Sequence, residues 1–281
     1  MSDFKASLLR WPGGKFHALK LIIPKLNPHI NSAEIFGGGV SITLNMPRLK
    51  ISKTEIINDA SSAWYNFWKV IKEKGTNYME EIAWVFAGDD WIREYSGYDD
   101  DVRSAIYFYL RNRNSMAGFK SASPGNQHTF PNNPIVKNIS WWAERLRNVR
   151  IYNMDCFELL AKLNNLSTKW LLILDPPYVK EGAKGHKMYV DENLGSDQED
   201  LGFTKKDHER LSEMLHQSPH EIFMTYDDDP FIRELYSDFY ITEAQWDYHA
   251  AKGKVKKSKV ELFVTNLELK EYGRSATATN W

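Results

Sequence analysis

The stretch KWLLILDPPYV, residues 169–179, indicates the fold class because an apolar strand and a rigid polar turn meet in it. The run WLLIL has no polar residue, which is typical of a strand buried on both faces of a sheet. The two prolines that follow Asp175 stop both a strand and a helix. An acid gains nothing from packing at this place, so we expect a turn that presents Asp175 and Tyr178 at the edge of a sheet.

Strands and helices alternate on both sides of this stretch. Apolar runs bounded by turn residues predict the strands, and 3.6-residue periodicity with polar caps predicts the helices. Such alternation is typical of α/β proteins with a mostly parallel sheet. The predicted strands are SAEIF, KTEIINDA, VRIYNMD, KWLLILD, EIFMTYDD, FYITEAQWDYH and KVELFVTN, and the predicted helices are LKLIIPKL, SSAWYNFWKVIKEK, CFELLAKLNNL, TKKDHERLSEMLHQ and PFIRELYSD.

The middle of the chain departs from this alternation. Residues 80–101 are rich in acids, whereas residues 102–150 contain eight Arg and Lys residues against one acid. The stretch SASPGNQHTFPNNP within the basic segment has the composition of a loop. We therefore predict a sheet domain formed by residues 1–72 and 149–281, with an inserted, mainly helical domain at residues 73–148.

The composition is that of an ordinary globular protein and excludes several classes. The net charge of -1 excludes a uniformly basic nucleic-acid binder, so any such binding must use local patches. A single cysteine, Cys156, excludes a disulfide framework and a cysteine-rich zinc site. No apolar run approaches the roughly 20 residues of a membrane helix, and the first residues contain no signal-peptide core. We expect a cytoplasmic protein with no membrane partner and no metal.

Three further strand ends carry glycines or acids, and ligands of open parallel sheets bind beyond the carboxyl ends of the strands. After the first strand, EIFGGGV at residues 34–40 lets the backbone approach a ligand, although a tight turn explains the glycines equally well. Asp59 follows about 20 residues later, where a carboxylate can accept hydrogen bonds from ribose hydroxyls. Asp155 follows the next strand and can accept from an adenine amino group. A helix cap is the alternative role for each acid.

The turn DPPY at residues 175–178 has the chemistry of an amino-group site. Asp175 and the carbonyl of Pro176 can accept the hydrogens of an exocyclic amino group, which holds the nitrogen lone pair toward an electrophile. Pro177 keeps the turn rigid, and the ring of Tyr178 offers a stacking face for a base. A structural proline turn is the alternative. Near the start, the segment RWPGGK supplies a lysine that can reach a carboxylate and a tryptophan that can pack over a ligand.

These motifs and their order resemble the Dam-type, D12-class DNA adenine N6-methyltransferases. The segments that follow the family's order span nearly the whole chain and are RWPGGK, EIFGGGV, IIND, RNRNSMAG, NMDCF, LDPPY, MTYDDDPFIRELY and KVELFVTN. The resemblance implies a Rossmann-like class I methyltransferase sheet that uses S-adenosylmethionine, with an inserted target-recognition domain. Two positions depart from the family, because Ile35 stands where proline is usual and Val40 stands where a further glycine is common. The residues that the resemblance assigns to the cofactor site are Trp11, Lys15, Phe36, Gly37, Gly38, Asp59, Asp155 and Asp175.

The resemblance also implies that the inserted domain binds DNA. The stretch YLRNRNSMAGF resembles the family's loop that enters the DNA, where arginines can hold phosphates or guanine edges and asparagines can read adenine. A solvated helix end is the alternative for such a stretch. A lysine-rich segment near the end, AAKGKVKKSK, is either a clamp on the DNA backbone or an ordinary surface loop. The predicted DNA-binding residues are Arg111, Asn112, Arg113, Asn114, Lys252, Lys254 and Lys256.

We expect a bacterial or phage-encoded enzyme that methylates the N6 amino group of adenine in double-stranded DNA by base flipping. S-adenosylmethionine would be the donor and S-adenosylhomocysteine the product. The alternatives are the same chemistry on RNA adenine or on cytosine N4, and a DNA-binding module with an inactive enzyme core. The intact DPPY turn and cofactor acids argue against the inactive module. A monomer is expected, and a cognate restriction endonuclease stays open as a partner. The residues expected to act in catalysis are Asp175, Pro176, Pro177 and Tyr178.

Overall fold

The computed structural model describes residues 4–49, 53–85, 101–114, 139–179, 203–248 and 257–272. Within these ranges every run predicted as a strand forms one. The strands are β1 (Asn31–Glu34), β2 (Glu55–Asn58), β3 (Val149–Tyr152), β4 (Trp170–Leu174), β5 (Glu221–Asp227), β6 (Tyr240–Tyr248) and β7 (Lys257–Thr265). They form one 7-stranded sheet in the order β3-β2-β1-β4-β5-β7-β6.

The sheet is mostly parallel, which confirms the predicted α/β class. Strand β1 pairs in parallel with β2 and β4, β2 with β3, and β4 with β5. Strand β7 lies antiparallel between β5 and β6. Strand β4 is the WLLIL run and is buried along its whole length. In the strand order, β2 and β3 follow β1 on one side of the sheet, whereas β5 follows β4 on the other side. The loops after β1 and β4 therefore lead away from each other and leave a crevice at the carboxyl edge of the sheet.

Local sequence explains where the helices begin and end. Thr204 and Asp207 form a reciprocal capping box at the start of one helix, and the Asp229 side chain caps the next. The predicted helix LKLIIPKL is cut to a single turn flanked by 3₁₀ turns, because Pro24 cannot continue the hydrogen-bond pattern. The helices are α1 (Leu19–Ile22), α2 (Ser41–Asn45), α3 (Ser62–Val85), α4 (Asp101–Asn114), α5 (Ile139–Leu146), α6 (Cys156–Asn164), α7 (Lys205–His216) and α8 (Pro230–Leu235).

Helices cover both faces of the sheet. Alternate residues of β4 point to opposite sides, so Leu172 and Leu174 pack with α6, α7 and α8, whereas Leu171 and Ile173 pack with α1. A third cluster joins α3, α4 and α5 to the end of the sheet at β2 and β3 and is rich in tryptophan. The described part of the chain contains no helix with the length and hydrophobicity that a bilayer crossing requires.

The described helices of the segment 73–148 pack into the same core as the sheet domain. The side chains of Phe108 and Tyr109 on α4 and of Trp142 on α5 share a buried cluster with α3. The boundaries at residues 73 and 148 stay a prediction. Helix α3 changes direction close to the first boundary, where Gly75 has the non-helical angles φ 60° and ψ -149°.

One basic residue of that segment is structural rather than exposed. Arg145 on α5 is 5% exposed, and its Nη1 lies 2.7 Å from Oε2 of Glu55, which is equally buried. The same guanidinium donates to the carbonyls of Leu44 and Thr43. Because all of these partners are internal, Arg145 adds no charge to the surface of the 102–150 segment, although it is one of that segment's eight basic residues.

Candidate active site

The glycine turn after β1 is shaped by two indole rings. The N–H of Gly37 donates to the Asn58 carbonyl at 2.6 Å, and a Cβ at Gly37 would overlap the ring of Trp64. Gly38 has φ +48° and lies so close to Trp11 that a Cβ there would come within 2.8 Å of the ring. The Nε1 of Trp64 donates to the Gly38 carbonyl at 2.7 Å. Side chains therefore exclude any larger residue at both glycines, and Trp11 lies against the turn.

The same turn contains a left-handed residue that is not glycine. Val40 has φ 51° and ψ 28° directly before α2, and its side chain is 1% exposed. A β-branched side chain disfavours this conformation by about 1 to 2 kcal/mol. Val40 stands where a glycine is common in the family. Its backbone therefore keeps the conformation that glycine favours, and its side chain is added to the apolar core.

Asn58 joins the loops after three neighbouring strands. Its Nδ2 donates to the carbonyl of Ile35 at 3.1 Å and to the carbonyl of Met154 at 3.0 Å. Its Oδ1 accepts from the N–H of Met154 at 3.0 Å. Because its own carbonyl also receives Gly37, Asn58 fixes the spacing of the loops that follow β1, β2 and β3. The side chain is 1% exposed, so these bonds are shielded from water.

The two predicted cofactor acids of these loops also hold backbone N–H groups. Asp59 accepts from Gly38 through Oδ2 and from Ser61 through Oδ1, both at 3.0 Å. Asp155 caps α6, because its Oδ1 accepts from Phe157 at 2.9 Å and from Glu158 at 3.3 Å. Capping does not exclude ligand binding, since a carboxylate accepts about four hydrogen bonds. Asp155 is exposed at the carboxyl edge of the sheet.

Asp175, the acid after β4, is held from two sides. The Nζ of Lys15 lies 2.7 Å from both carboxylate oxygens, which confirms that a lysine of RWPGGK reaches a carboxylate. The hydroxyl of Thr225 on β5 donates to Oδ1 at 2.8 Å. Lys15 is 3% exposed and the Asp175 side chain is 24% exposed, so the ion pair faces solvent only through the acid. Lys15 also donates to the carbonyl of Gly13 at 2.7 Å.

The hydroxyl of Tyr178 belongs to the same cluster. It accepts from Lys15 at 2.7 Å and donates to Oε2 of Glu261 on β7 at 2.9 Å. Glu261 is fully buried, and its carboxylate lies 3.7 Å from the Nζ of Lys15. The Tyr178 ring is half-buried beside Tyr226, with 6.2 Å between the ring centroids. The polar edge of the tyrosine is therefore fixed by two charged groups.

Aromatic side chains line the adjacent wall. The ring of Phe36 meets Phe203 edge to face at 5.6 Å, and Phe203 stacks on Phe157 at 5.9 Å. His208 contacts Phe203 and bonds the Tyr226 hydroxyl at 2.8 Å. Burial lowers the pKa of His208 to about 4, so this imidazole is neutral near pH 7. The wall presents flat apolar faces next to the acids.

A further acid lies buried behind the site. Glu34 ends β1, is 4% exposed and accepts from the N–H of Thr43 at 2.9 Å. Burial raises the pKa of Glu34 to about 7, and the hydrogen bond from Thr43 opposes that shift. The charge of Asp175 raises it further, which couples the two acids.

The predicted DNA-binding residues on α4 lie in different surroundings. Asn112 is 4% exposed and bonds the backbone of Arg10 twice, through Oδ1 and Nδ2, each at 2.7 Å. Arg113 is half-buried, and burial lowers its pKa. Its Nε has no hydrogen-bond partner among the described residues. Arg111 and Asn114 lie on the same helix. Lys252, Lys254 and Lys256 lie outside the described residues.

Sequence reasoning missed three contributors to the site. Asn58 and Thr225 were not singled out, and Glu261 was quoted only within the KVELFVTN motif. A signal existed for Glu261, because a charged residue within a buried apolar strand needs a partner. Among the described residues, no group of three or more His, Cys, Asp and Glu side chains is arranged to hold a metal ion.

A Rossmann-like sheet with a glycine turn after β1 and an Asp-Pro-Pro-Tyr turn after β4 defines an amino-group methyltransferase. The D12 class N6 adenine-specific DNA methyltransferase family matches residues 11–250. The chain therefore belongs to that family.

Relatives share the similarity over most of the chain. The Type II methyltransferase M.CviBI of Paramecium bursaria Chlorella virus NC1A is 24% identical, and the match covers 94% of this chain and 99% of the relative. The DNA N-6-adenine-methyltransferase of Escherichia phage P1 is 22% identical over 84% of this chain but only 32% of its own length. Precorrin 8W decarboxylase from Methanobacterium thermoautotrophicum is 11% identical with a TM-score of 0.35, which carries no argument about the fold.

Proposed function

We propose that the protein transfers a methyl group from S-adenosylmethionine to the N6 amino group of an adenine in a specific sequence of double-stranded DNA. S-adenosylhomocysteine and one proton, lost from the amino nitrogen, are then the other products. The observation that carries this proposal is the position of Asp175. Its carboxylate is held by Lys15 and Thr225 at the end of β4, next to the Pro176 carbonyl and beside the glycine turn. Family membership restricts the target to adenine N6 in DNA, which disfavours the RNA and cytosine alternatives.

The residues around the turn fit S-adenosylmethionine by their chemistry. The cofactor carries ribose hydroxyls, an adenine and a charged amino acid group. Asp59 and Asp155 offer carboxylates after β2 and β3, and the half-buried ring of Phe36 lies in the adjacent aromatic wall. No hydrogen bond to Oδ2 of Asp155 occurs within the described ranges, which leaves that oxygen for a ligand donor. Trp11, Lys15, Gly37 and Gly38 would complete the site. When bound, the cofactor supplies an electrophilic methyl group.

The chain's own residues prepare the target nitrogen. The Asp175 carboxylate and the Pro176 carbonyl accept the two amino hydrogens, which concentrates electron density on N6 and orients its lone pair. Pro177 holds the two acceptors in a fixed spacing. The Tyr178 ring offers the base a face, since an adenine N6 inside a duplex is out of reach and the base must leave the stack. Lys15 and Thr225 hold the Asp175 carboxylate in place for this contact.

DNA binding is proposed for the segment that begins on α4. Arg113 is a candidate within the described residues, because its side chain is partly exposed on α4 and a guanidinium can bond a phosphate or a guanine edge. We propose contacts to a phosphate or a guanine edge for Arg111 as well, and contacts to an adenine for Asn114. The two bonds of Asn112 to Arg10 favour a role in joining α4 to the RWPGGK segment, and base reading by Asn112 stays a prediction. The lysine segment proposed as a backbone clamp comprises Lys252, Lys254 and Lys256.

The test measures cofactor binding and transfer separately. Calorimetry should detect S-adenosylmethionine binding to the parent, weakened about tenfold to a hundredfold in Asp59→Ala by loss of charged hydrogen bonds. Transfer of labelled methyl should occur on duplex DNA and not on RNA. Binding without transfer would support the inactive module instead. Sedimentation of the purified protein tests the proposed monomer, and any restriction endonuclease partner needs its own search.

A further inference from the structure

The Lys15 ammonium lies between two carboxylates in a site that shields it from water. Its Nζ is 2.7 Å from both oxygens of Asp175 and 3.7 Å from Oε2 of Glu261. Lys15 is 3% exposed and Glu261 is 0% exposed, whereas the Asp175 side chain reaches solvent. Glu261 lies within β7, whose neighbours Leu262 and Val264 belong to the apolar core. A buried charge at this place needs a defined task, because its desolvation is costly.

In this arrangement Lys15 uses the same acceptor that the target amino group needs. An ammonium at 2.7 Å from both oxygens donates hydrogen bonds of the kind that an exocyclic amino group would donate. The Thr225 hydroxyl already occupies Oδ1 as well. When the adenine amino group donates to the same carboxylate, it shares the negative charge that holds Lys15, and this weakens the contact between Lys15 and Asp175. A buried ammonium whose counterion is shared in this way is stabilised by a second carboxylate nearby.

We propose that Glu261 is a positioning residue that receives the Lys15 ammonium when the target amino group binds Asp175. A shift of about 1 Å shortens the 3.7 Å separation to the length of a charge-assisted hydrogen bond. The Tyr178 hydroxyl lies on this path, since it accepts from Lys15 at 2.7 Å and donates to Glu261 at 2.9 Å. Glu261 therefore also fixes the position of the Tyr178 hydroxyl. This inference rests on the proposed methyl transfer at Asp175.

The test compares the removal of charge from two buried glutamates. Glu261→Gln keeps the volume and an acceptor oxygen but removes the second counterion of Lys15. We expect kcat to fall about tenfold to a hundredfold, with the S-adenosylmethionine Kd and the DNA Kd within threefold of the parent. Glu55→Gln is the matched control, because Glu55 is also buried, at 5% exposed, and pairs with Arg145 at the start of β2, at the end of the sheet opposite to Asp175. It should lower Tm and leave kcat unchanged.

A double-mutant cycle keeps the test independent of folding defects. In Lys15→Gln the ammonium beside Asp175 and Glu261 is gone, so Glu261→Gln in that background should change kcat by less than threefold and restore Tm. A further loss above tenfold in that background would overturn the proposal, as would Glu261→Gln with parental kcat. A kcat loss accompanied by an equal loss of cofactor affinity would also overturn it, because Glu261 would then only support the cofactor site. An inactive parent would instead refute the proposed methyl transfer.

Discussion

Replacing Asn58 with alanine tests whether one buried amide holds the site together. The change removes three side-chain hydrogen bonds, two to Met154 and one to Ile35, at 3.0 to 3.1 Å. With each bond contributing about 1 kcal/mol, and the backbone partners left shielded from water, the free energy of unfolding should fall by about 3 kcal/mol. The loops after β1, β2 and β3 also lose their fixed spacing, so affinity for S-adenosylmethionine should fall at least tenfold by the general need for preorganised contacts.

Urea unfolding and calorimetry measure both effects, and Asn45→Ala is the matched control. Asn45 also makes three side-chain hydrogen bonds, to the N–H and carbonyl of Lys5 and to the carbonyl of Ser41, at 2.8 to 3.0 Å. Two of these bonds are exposed, so water can replace them and the loss should stay below about 1 kcal/mol, with parental cofactor affinity. Equal losses of stability in the two variants, or parental cofactor affinity in Asn58→Ala, would refute the reasoning.

Three other expectations concern the core and its titrating groups. Val40→Gly should be less destabilising than Val40→Ala, because glycine relieves the strain of the left-handed backbone. At Ile42, which lies within the helix α2, Ile42→Gly should instead be more destabilising than Ile42→Ala by about 1 kcal/mol. The same order of the glycine and alanine variants at both sites would contradict the strain at Val40. Because the pKa of Glu34 is raised to about 7 in the folded chain, the protonated side chain stabilises the fold below pH 4.5, and this contribution is lost as pH rises through 7. The unfolding free energy of the parent minus that of Glu34→Gln should therefore fall by about 3 kcal/mol across that window. The lowered pKa of His208, about 4, has the opposite effect: the neutral imidazole stabilises the fold above pH 6.5, and this contribution is lost as pH falls through 4. The unfolding free energy of the parent minus that of His208→Asn should therefore rise by about 3 kcal/mol as pH rises through that window. A difference that does not change with pH would contradict the pKa shift of Glu34 or of His208, according to the variant.

The strands and their order along the chain were predictable, because the burial of a strand and the alternation of its side chains determine the pattern of apolar residues in the sequence. WLLIL, EIIN and EIFMTYD each form the expected strand. The positions of Asp59, Asp155 and Asp175 follow from the same reasoning, since each acid comes directly after a strand whose carboxyl end lies at the shared edge. Local propensity also accounts for the caps at Asp155 and Thr204.

The partners of these residues could not be predicted, because they depend on how distant segments meet. Lys15 and Asp175 are separated by 160 residues, and only family resemblance placed them in one site. Glu261 reaches Tyr178 because β7 lies antiparallel beside β5. The alternation of side chains along a strand does not specify which other strand pairs with it. The burial of Arg145 could not be predicted either, because the burial of a helix face is set by the elements packed against it.

The most direct test of methyl transfer at Asp175 uses S-adenosylmethionine that carries a deuterated methyl group. Duplex DNA is incubated with the parent or with Asp175→Asn, digested to nucleosides and analysed by mass spectrometry. The parent should yield N6-methyl-2′-deoxyadenosine with three deuterium atoms in its methyl group. Asp175→Asn should yield less than a tenth as much, because the target amino group loses a charged acceptor, and it should retain DNA binding. Label found only on cytosine, no label on DNA, or parental yield from Asp175→Asn would contradict the account.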